Sequence, residues 1–351
     1  MERLNVAVIF GGVSSEHEVS CMSACNVLNI LDRNKYNVFP VGVTKDGRWL
    51  LTSASAERIR TGNWQDDCRP AVISPDRETH GILFANGESA RIDVAFPILH
   101  GKNGEDGAMA ALLQLAGIPQ VTTTMTSAAC SMDKAITKAL CDRAGVPMAD
   151  WEVLYSADIR SDVSSCVARV EKRFSYPVFV KPASAGSSVG VSKCGDRASL
   201  EAGLSLAAGE DFKVLVEECI VGLEIEVAVI GNSSPAASVC GQIAPSQEFY
   251  SYDSKYNDAS SALYIPAHID EPTAARVREL AITVYKTMEC MGMARVDFFA
   301  ANDGRVLFNE INTIPGFTDI SMYPKLMAHT YYGGAGLADK LIELALAEDR
   351  V

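Results

Sequence analysis

The sequence lacks the patterns that define several common classes of protein. Its ten cysteines include no Cys-x-x-Cys pair, so neither a zinc ribbon nor a compact disulfide framework is expected. Its five histidines include no His-x-x-x-His pair, which argues against a histidine zinc site. No long apolar stretch follows a basic segment at the start of the chain. We therefore expect neither a signal peptide nor a membrane anchor, and we place the protein in the cytoplasm.

Positive charge is also scarce. The chain has 31 Lys and Arg residues against 44 Asp and Glu residues, which gives a net charge of −13. A nucleic-acid surface is not expected, because binding to a phosphate backbone favours a basic face. An anionic ligand would need local lysines, helix N-termini or a metal ion. With 351 residues and 48% hydrophobic residues, the chain is predicted to fold into two or three globular domains.

The first third of the chain has the pattern of an α/β fold. A strand at residues 6–10, a helix to about residue 31 and a strand at residues 38–43 predict a parallel start. Ser15 followed by Glu18 fits a capping box, which predicts a helix N-terminus able to attract anions. Residues 63–88 lack periodicity and are expected to form a peripheral excursion between strands.

A predicted β-hairpin near the C-terminus carries the strongest chemical signal. Residues 295–300 and 305–312 flank Asp303 and Gly304, and an Asp-Gly pair is typical of a two-residue hairpin turn. This register places two pairs of side chains opposite each other on one face: Asp297 with Glu310, and Arg295 with Asn312. Two opposed carboxylates repel each other unless a positive group lies between them.

A divalent cation would relieve this repulsion. Oxygen atoms of Asp, Glu and Asn are ligands that Mg²⁺ prefers, with substrate phosphates completing its coordination. We therefore predict that Asp297, Glu310 and Asn312 bind magnesium beside a nucleotide. In the alternative interpretation, Arg295 neutralises the two acids on a solvated sheet face.

Other segments are candidates for binding a nucleotide. Lys134 and Lys181 are candidate phosphate contacts, and the glycine-serine loop at residues 186–190 could cover phosphates with its backbone amides. The apolar strand at residues 214–220 contains two acids before Gly222, which suits the donors of adenine and ribose. Residues 249–258 mix aromatic and charged side chains without periodicity, as expected of a lid.

Seven motifs, in this order, resemble the D-alanine–D-alanine ligase family of ATP-grasp enzymes over almost the whole chain. They are Gly11-Gly12-x-Ser14-x-Glu16-x-Glu18, His100-Gly101-x-x-Gly104-Glu105-Asp106-Gly107, Met132-Asp133-Lys134, Lys181-Pro182 before Gly186-Ser187-Ser188, Lys255-Tyr256, Arg295-Val296-Asp297 and Glu310-Ile311-Asn312-Thr313-Ile314-Pro315-Gly316. The resemblance implies an ATP-grasp fold in which an N-terminal parallel α/β domain (1–123) precedes a central α+β domain (124–213) and a C-terminal α+β domain (214–351).

The resemblance also implies roles for individual residues. Those implied to be catalytic are Glu16, Ser187, Tyr256, Arg295 and Gly316; Glu16 anchors the first ammonium group, and Arg295 with the Gly316 amide stabilises an oxyanion. Those implied to bind substrate are Glu16, His100, Lys255, Tyr256, Arg295, Ser321 and Met322. Those implied to bind ATP are Lys134, Lys181, Ser187, Ser188, Glu217, Glu218, Ile220 and Glu224. Two Mg²⁺ ions, which Mn²⁺ can replace, are implied at Asp297, Glu310 and Asn312.

The implied reaction is ATP-dependent ligation of two D-alanine molecules for peptidoglycan synthesis, by a cytoplasmic homodimer. Three alternatives stay open. The first is a D-alanine–D-serine ligase of the vancomycin-resistance type, because residues 317–322 depart from the usual family pattern and residues 96–104 are similar to those enzymes. A nucleotide-binding regulator without turnover is the second alternative, and an ATP-grasp ligase for another amino acid is the third.

Overall fold

A computed structural model of the protein describes residues 3–66, 68–187, 189–244 and 262–347. Three β-sheets form from successive parts of this chain, and helices pack on them. The fold is mixed α/β, as the sequence predicts. Among the described residues, no helix combines the length and the apolar character needed to cross a bilayer.

The first sheet has seven strands and is parallel only at one end. Its strands are β1 (Leu4–Gly11), β2 (Tyr36–Val43), β3 (Trp49–Thr52), β4 (Cys68–Ile73), β5 (Gly81–Phe84), β6 (Ser89–Arg91) and β7 (Val94–Pro97). The spatial order is β6-β5-β4-β3-β2-β1-β7. Strand β1 pairs in parallel with β2 and β7, and the other neighbours are antiparallel. The predicted parallel start is confirmed for β2, β1 and β7.

The prediction of an excursion at residues 63–88 is wrong. This part of the chain contributes β4 and β5 to the sheet, and β4 pairs with β3 even though it contains Pro70. Prolines are depleted from strands, and a four-residue strand such as β5 is too short to show clear alternation. The helices of this region are α1 (His17–Ile30), α2 (Ala56–Arg60) and α3 (Ala108–Ala116).

The second sheet is antiparallel and has its own apolar core. Its strands, in the spatial order β10-β9-β11-β8, are β8 (Trp151–Tyr155), β9 (Val178–Pro182), β10 (Ser192–Cys194) and β11 (Lys213–Glu218). The accompanying helices are α4 (Met125–Met132), α5 (Lys134–Arg143), α6 (Ser156–Ser161), α7 (Val163–Glu171) and α8 (Arg197–Glu210). Side chains of α7 and α8 bury one sheet face, and this cluster is confined to residues 154–216.

The third sheet is also antiparallel and has helices on both faces. Its strands, in the spatial order β14-β13-β12-β15-β16, are β12 (Gly222–Ile230), β13 (Ala236–Ala244), β14 (Ala262–Tyr264), β15 (Met293–Ala301) and β16 (Val306–Asn312). Helix α9 (Glu271–Thr287) packs on one face. Helices α10 (Met322–Thr330) and α11 (Ala335–Ala345) pack on the other face and share a core with the first sheet.

The apolar clusters suggest how the chain divides. Phe96 of the first sheet packs edge-on against Phe317, with 6.0 Å between ring centroids, so the first and third sheets share one core. Strand β11 pairs with β8 and β9, although residue 214 was the predicted start of the third domain. We therefore propose that the boundary between the second and third domains lies after Glu218.

Candidate active site

A large cavity lies where the three sheets meet. Its volume is about 730 Å³, within the range of about 300–1,000 Å³ that is usual for small-molecule sites. Glu16 contributes from the first sheet's region, Lys181 from β9 of the second sheet, and Arg295 from β15 of the third. The strands and loops of all three sheets must therefore be in place before the cavity exists.

Glu16 forms the wall at the end of β1. It is the N-cap of α1, so the capping box predicted at Ser15 is wrong, and Glu16 makes no side-chain capping bond. Glu16 is 6% exposed, and its carboxylate accepts a hydrogen bond from the hydroxyl of Ser187 across the cavity. Two glycines allow this position: a Cβ atom on Gly101 would lie 2.6 Å from Glu16 Oε2, and one on Gly186 would lie 2.7 Å away.

His100 and Glu105 also line the cavity. The ring nitrogens of His100 contact Ser23 Oγ at 3.0 Å and the Ile314 carbonyl at 3.1 Å, and burial lowers the pKa of the ring. Glu105 Oε2 accepts a hydrogen bond of 2.8 Å from the Gly101 amide. Burial, followed by the nearby charge of Glu16, raises the pKa of Glu105 to about 8. These contacts tie the first sheet's loop to the segment that follows β16.

The predicted hairpin is present, but its turn differs from the prediction. Ala301 pairs with Arg305 across a three-residue loop, in which Gly304 has φ of 88°. A β-bulge at Asn309 then shifts the register back by one residue. Because the two deviations cancel, the predicted pairs are confirmed: Asp297 lies opposite Glu310, and Arg295 lies opposite Asn312.

Arg295 is the centre of a buried charge cluster on this hairpin. Its Nε and Nη2 atoms donate to the two Asp297 oxygens at 2.8 and 2.7 Å. Glu226 Oε2, on the neighbouring strand β12, lies 3.2 Å from Arg295 Nε. Burial alone would lower the pKa of Arg295, but the carboxylates of Asp297 and Glu226 raise it well above its usual value. The ion pair between Arg295 and Asp297, which the alternative interpretation predicts, is therefore present, but it is buried rather than exposed to solvent.

The three predicted metal ligands are adjacent but not equivalent. Glu310 and Asn312 line the cavity, whereas Asp297 is 8% exposed and its carboxylate is bound by Arg295. Asn312 Nδ2 donates to Asp297 Oδ2 at 3.0 Å, and Lys134 Nζ lies 3.6 Å from Glu310 Oε2. Within residues 3–347, as far as they are described, no cluster of three or more His, Cys, Asp or Glu side chains is arranged to hold a metal.

Two lysines form a second charge cluster around Glu217. Lys181 Nζ lies 2.6 Å from Glu217 Oε2, and Lys138 Nζ lies 3.0 Å from Glu217 Oε1. Burial would raise the pKa of Glu217, but the two ammonium groups lower it. Burial lowers the pKa of Lys138, and the Glu217 carboxylate opposes that shift. Lys134 Nζ donates to the Ala185 carbonyl at 2.9 Å, which fixes it beside the glycine-serine loop.

The remaining candidates occupy the two ends of the cavity or lie outside the described residues. At one end, the lining includes Glu217, Glu218, Ile220 and Glu224. At the other end it includes Gly316, Ser321 and Met322. Ser321 is the N-cap of α10, and its hydroxyl accepts a hydrogen bond of 3.0 Å from the Thr318 amide. Ser188, Lys255 and Tyr256, with the predicted lid, lie outside the described residues.

Three charged residues at the site were not predicted from the sequence: Glu105, Lys138 and Glu226. Each had a weak signal. Glu105 belongs to the His100 motif, Lys138 lies one helical turn after Lys134, and Glu226 lies on the same strand face as Glu224. Their importance depends on partners that are distant in sequence, such as Arg295 for Glu226.

Comparisons with known proteins identify close relatives. The family profile described as D-ala D-ala ligase N-terminus matches residues 5–123, and the one described as D-ala D-ala ligase C-terminus matches residues 140–343. The D-alanine--D-alanine ligase of Caldicellulosiruptor bescii is 46% identical over 100% of this chain and 97% of the relative. That of Acetivibrio thermocellus is 44% identical over 98% of this chain and 96% of the relative.

Solved structures agree with these matches. The VanG D-Ala:D-Ser ligase from Enterococcus faecalis has a TM-score of 0.90 and 37% identity, and the match covers 98% of this chain and 100% of that one. The D-alanine-D-alanine ligase from Coxiella burnetii has a TM-score of 0.84 and 33% identity, and the match covers 99% of this chain and 96% of that one.

Proposed function

The chain belongs to the D-alanine–D-alanine ligase family, and from that premise we propose that it joins two D-alanine molecules in a reaction driven by ATP. One observation supports this proposal most directly. A single cavity combines the Glu16 carboxylate, Lys181 and Arg295 from three different sheets. These are the charges needed to hold an ammonium group, phosphates and a developing oxyanion at one place.

The chemistry explains why both sets of charges are needed. A carboxylate is a poor electrophile, so the first D-alanine receives the γ-phosphoryl group of ATP on a carboxylate oxygen, and ADP leaves. The amine of the second D-alanine loses a proton and attacks the carbonyl carbon of this acyl phosphate. Phosphate then departs as the new peptide bond forms. The cavity must exclude water, because water would hydrolyse the acyl phosphate.

In this proposal the second sheet's side of the cavity binds ATP. Lys134 and Lys181 contact its phosphates, and the loop containing Ser187 and Ser188 covers them. The adenine and ribose lie against the end of β11, where Glu217, Glu218, Ile220 and Glu224 provide acceptors and an apolar surface.

The first and third sheets then bind the amino acids. Glu16 binds the ammonium group of the first D-alanine, beside His100. Arg295 and the Gly316 amide stabilise the negative charge that develops on the carbonyl oxygen during attack. Ser321 and Met322, at the start of α10, bind the second D-alanine. Lys255 and Tyr256 would close over both substrates.

The donor set at the hairpin fits a magnesium site. Asp297, Glu310 and Asn312 offer carboxylate and amide oxygens on one sheet face, which is the hard-oxygen chemistry that Mg²⁺ prefers and that Mn²⁺ also accepts. When bound, Mg²⁺ supplies positive charge to the phosphates of ATP. Arg295 donates two hydrogen bonds to the Asp297 carboxylate and so fixes its orientation within this set.

Phosphate release from Mg²⁺-ATP tests the proposal. The purified chain is mixed with single D-amino acids and with pairs of them. D-alanine alone is expected to support phosphate release with formation of the dipeptide, and L-alanine is not. ATP binding without phosphate release for any amino acid tested would favour a nucleotide-binding regulator, whereas release with a different amino acid alone would favour an ATP-grasp ligase for that substrate.

A pair of matched variants locates the reaction. Arg295→Met is expected to lower kcat by about 10²–10³-fold, the usual effect of removing one oxyanion contact. Arg276→Met removes an exposed arginine of α9, which pairs with Glu279, and should leave kcat unchanged. Equal rates in the two variants would contradict the role of Arg295.

D-serine is the second candidate for the attacking amine. The structure of VanG D-Ala:D-Ser ligase, with its TM-score of 0.90, favours it. The curated relatives at 46% and 44% identity favour D-alanine, which we propose as the preferred substrate. Side-by-side specificity constants at neutral pH decide between them, and a higher value for D-serine would indicate a resistance enzyme.

The biological setting follows from the proposed reaction. A D-alanyl-D-alanine product would enter peptidoglycan synthesis and so support cell shape. We propose that the chain works in the cytoplasm as a homodimer, which size-exclusion chromatography with light scattering would test.

A further inference from the structure

Lys138 is a buried cation whose function the preceding sections do not explain. Its side chain is 1% exposed, and it does not belong to the cavity lining. It lies on α5 one helical turn after Lys134, and its ammonium group lies 3.0 Å from Glu217 Oε1. A lysine is almost never fully buried unless it is paired, so this position requires the Glu217 carboxylate.

Glu217 is shared by two lysines of different kinds. One oxygen faces Lys138, and the other lies 2.6 Å from Lys181, which does line the cavity. If Glu217 had only Lys181 as a partner, the two charges would cancel and this pair would add no net attraction for an anion in the cavity. With Lys138 present, the three groups carry a net charge of +1.

We propose that Lys138 is a positioning residue for the nucleotide phosphates, acting through Glu217 to leave the charge of Lys181 available to them. This inference rests on the proposed ATP site. The arrangement would let Glu217 serve two purposes. Its carboxylate can stay ionised beside the adenine, and it does not neutralise Lys181 beside the phosphates, because Lys138 supplies a second positive charge. Lys138, which is buried and does not contact the nucleotide, thereby sets the affinity for the phosphates.

Comparing ADP with adenosine tests this role, because only ADP carries phosphates. Lys138→Met removes the charge and keeps most of the length of the side chain. Titration calorimetry with Mg²⁺ present should show ADP affinity reduced about tenfold or more, the order expected when one unit charge is removed near a partly buried anion. Adenosine affinity should change less than about twofold. Equal weakening of both ligands would mean that Lys138 only supports the local structure, and would overturn the proposal.

Lys286→Met is the matched control. Lys286 is exposed in the last turn of α9, so this variant changes the net charge equally without touching the site. It should bind both ligands as the unmodified protein does. If Lys286→Met lowered the affinity for ADP as much as Lys138→Met does, overall charge would explain the effect and the proposal would fail.

A double variant keeps the test valid if Lys138→Met does not fold. Lys138→Met with Glu217→Gln leaves no unpaired carboxylate in the interior. Since Lys181 then has no competing anion, the ratio of ADP to adenosine affinity should return to within about threefold of the original value. A ratio that stays low in this variant contradicts charge compensation. If the unmodified protein binds neither ADP nor ATP, the proposed ATP site itself fails, which is a different outcome.

Discussion

Replacing Gly101 by alanine should separate the stability of the fold from the function of the site. Gly101 has φ of 67°, and an added Cβ atom would lie 2.6 Å from Glu16 Oε2. Real Cβ atoms do not approach an oxygen so closely, and the carboxylate is the movable end of a side chain. We therefore expect Glu16 to shift by on the order of 0.5–1 Å while the backbone keeps its course.

The magnitudes differ for the two properties. A left-handed conformation costs alanine roughly 1–2 kcal/mol, which lowers Tm by a few degrees. Misplacing a substrate-binding group by about 1 Å can reduce catalysis by about 10²-fold. We expect kcat/KM for D-alanine, measured by phosphate release at saturating ATP, to fall by that order.

Gly62→Ala is the matched control for this prediction. Gly62 has φ of 77°, and an added Cβ atom would meet nothing within 4 Å. The control therefore carries the same backbone strain without displacing Glu16. The two substitutions should lower Tm by similar amounts, and only Gly101→Ala should lower kcat/KM. If kcat/KM of the two variants agreed within about threefold, Glu16 would not need its present position.

Three further predictions concern charge and packing. Glu310→Gln should lower turnover by at least about 10²-fold without changing the circular dichroism spectrum, because it removes one carboxylate from the proposed cation site; near-normal turnover would contradict that site. The pKa of Glu105 is raised from 4.5 to about 8, so the folded state keeps a proton that the unfolded state loses, and stability should fall as pH rises from about 5 to 8. Urea unfolding should show a flatter pH dependence in Glu105→Gln, and equal slopes would refute this account. Phe308→Ala should destabilise the protein by about 3–5 kcal/mol in the same assay, because the ring is 0% exposed and packs edge-on against Phe298.

The hairpin shows what a local sequence rule can and cannot predict. The cross-strand pairs of Arg295 with Asn312 and of Asp297 with Glu310 were predicted correctly, although the turn has one more residue than expected. The bulge at Asn309 compensates for it. Beside the bulge, the Phe308 amide donates to the Pro147 carbonyl at 2.8 Å, a partner from another part of the chain. Tertiary contacts of this kind have no signature in the two strands, so the correct register rested partly on coincidence.

Side-chain chemistry was easier to predict than side-chain partners. The sequence indicated that Lys181 is functional, because it ends an apolar strand just before a glycine-serine loop. Arg295 was indicated by its place on the predicted hairpin beside two acids and by the family resemblance. The sequence did not indicate that Arg295 has a second carboxylate at 3.2 Å, because Glu226 belongs to a strand about seventy residues earlier. Burial of a charge becomes visible only once the sheets are assembled, and it decides which charges are paired and which face a ligand.

The separate core of the second sheet has a consequence for unfolding. Its apolar cluster is confined to residues 154–216, whereas the first and third sheets share one. We expect the sheet that carries Lys181 to melt as its own cooperative unit when the cavity is empty, with α5 as its main apolar link to the third sheet. A nucleotide bound with Mg²⁺ between Lys181 and Glu310 would link the two units, so that two calorimetric transitions merge into one at higher temperature. Ligand occupancy would then be readable from the width of the melting curve as well as from its midpoint.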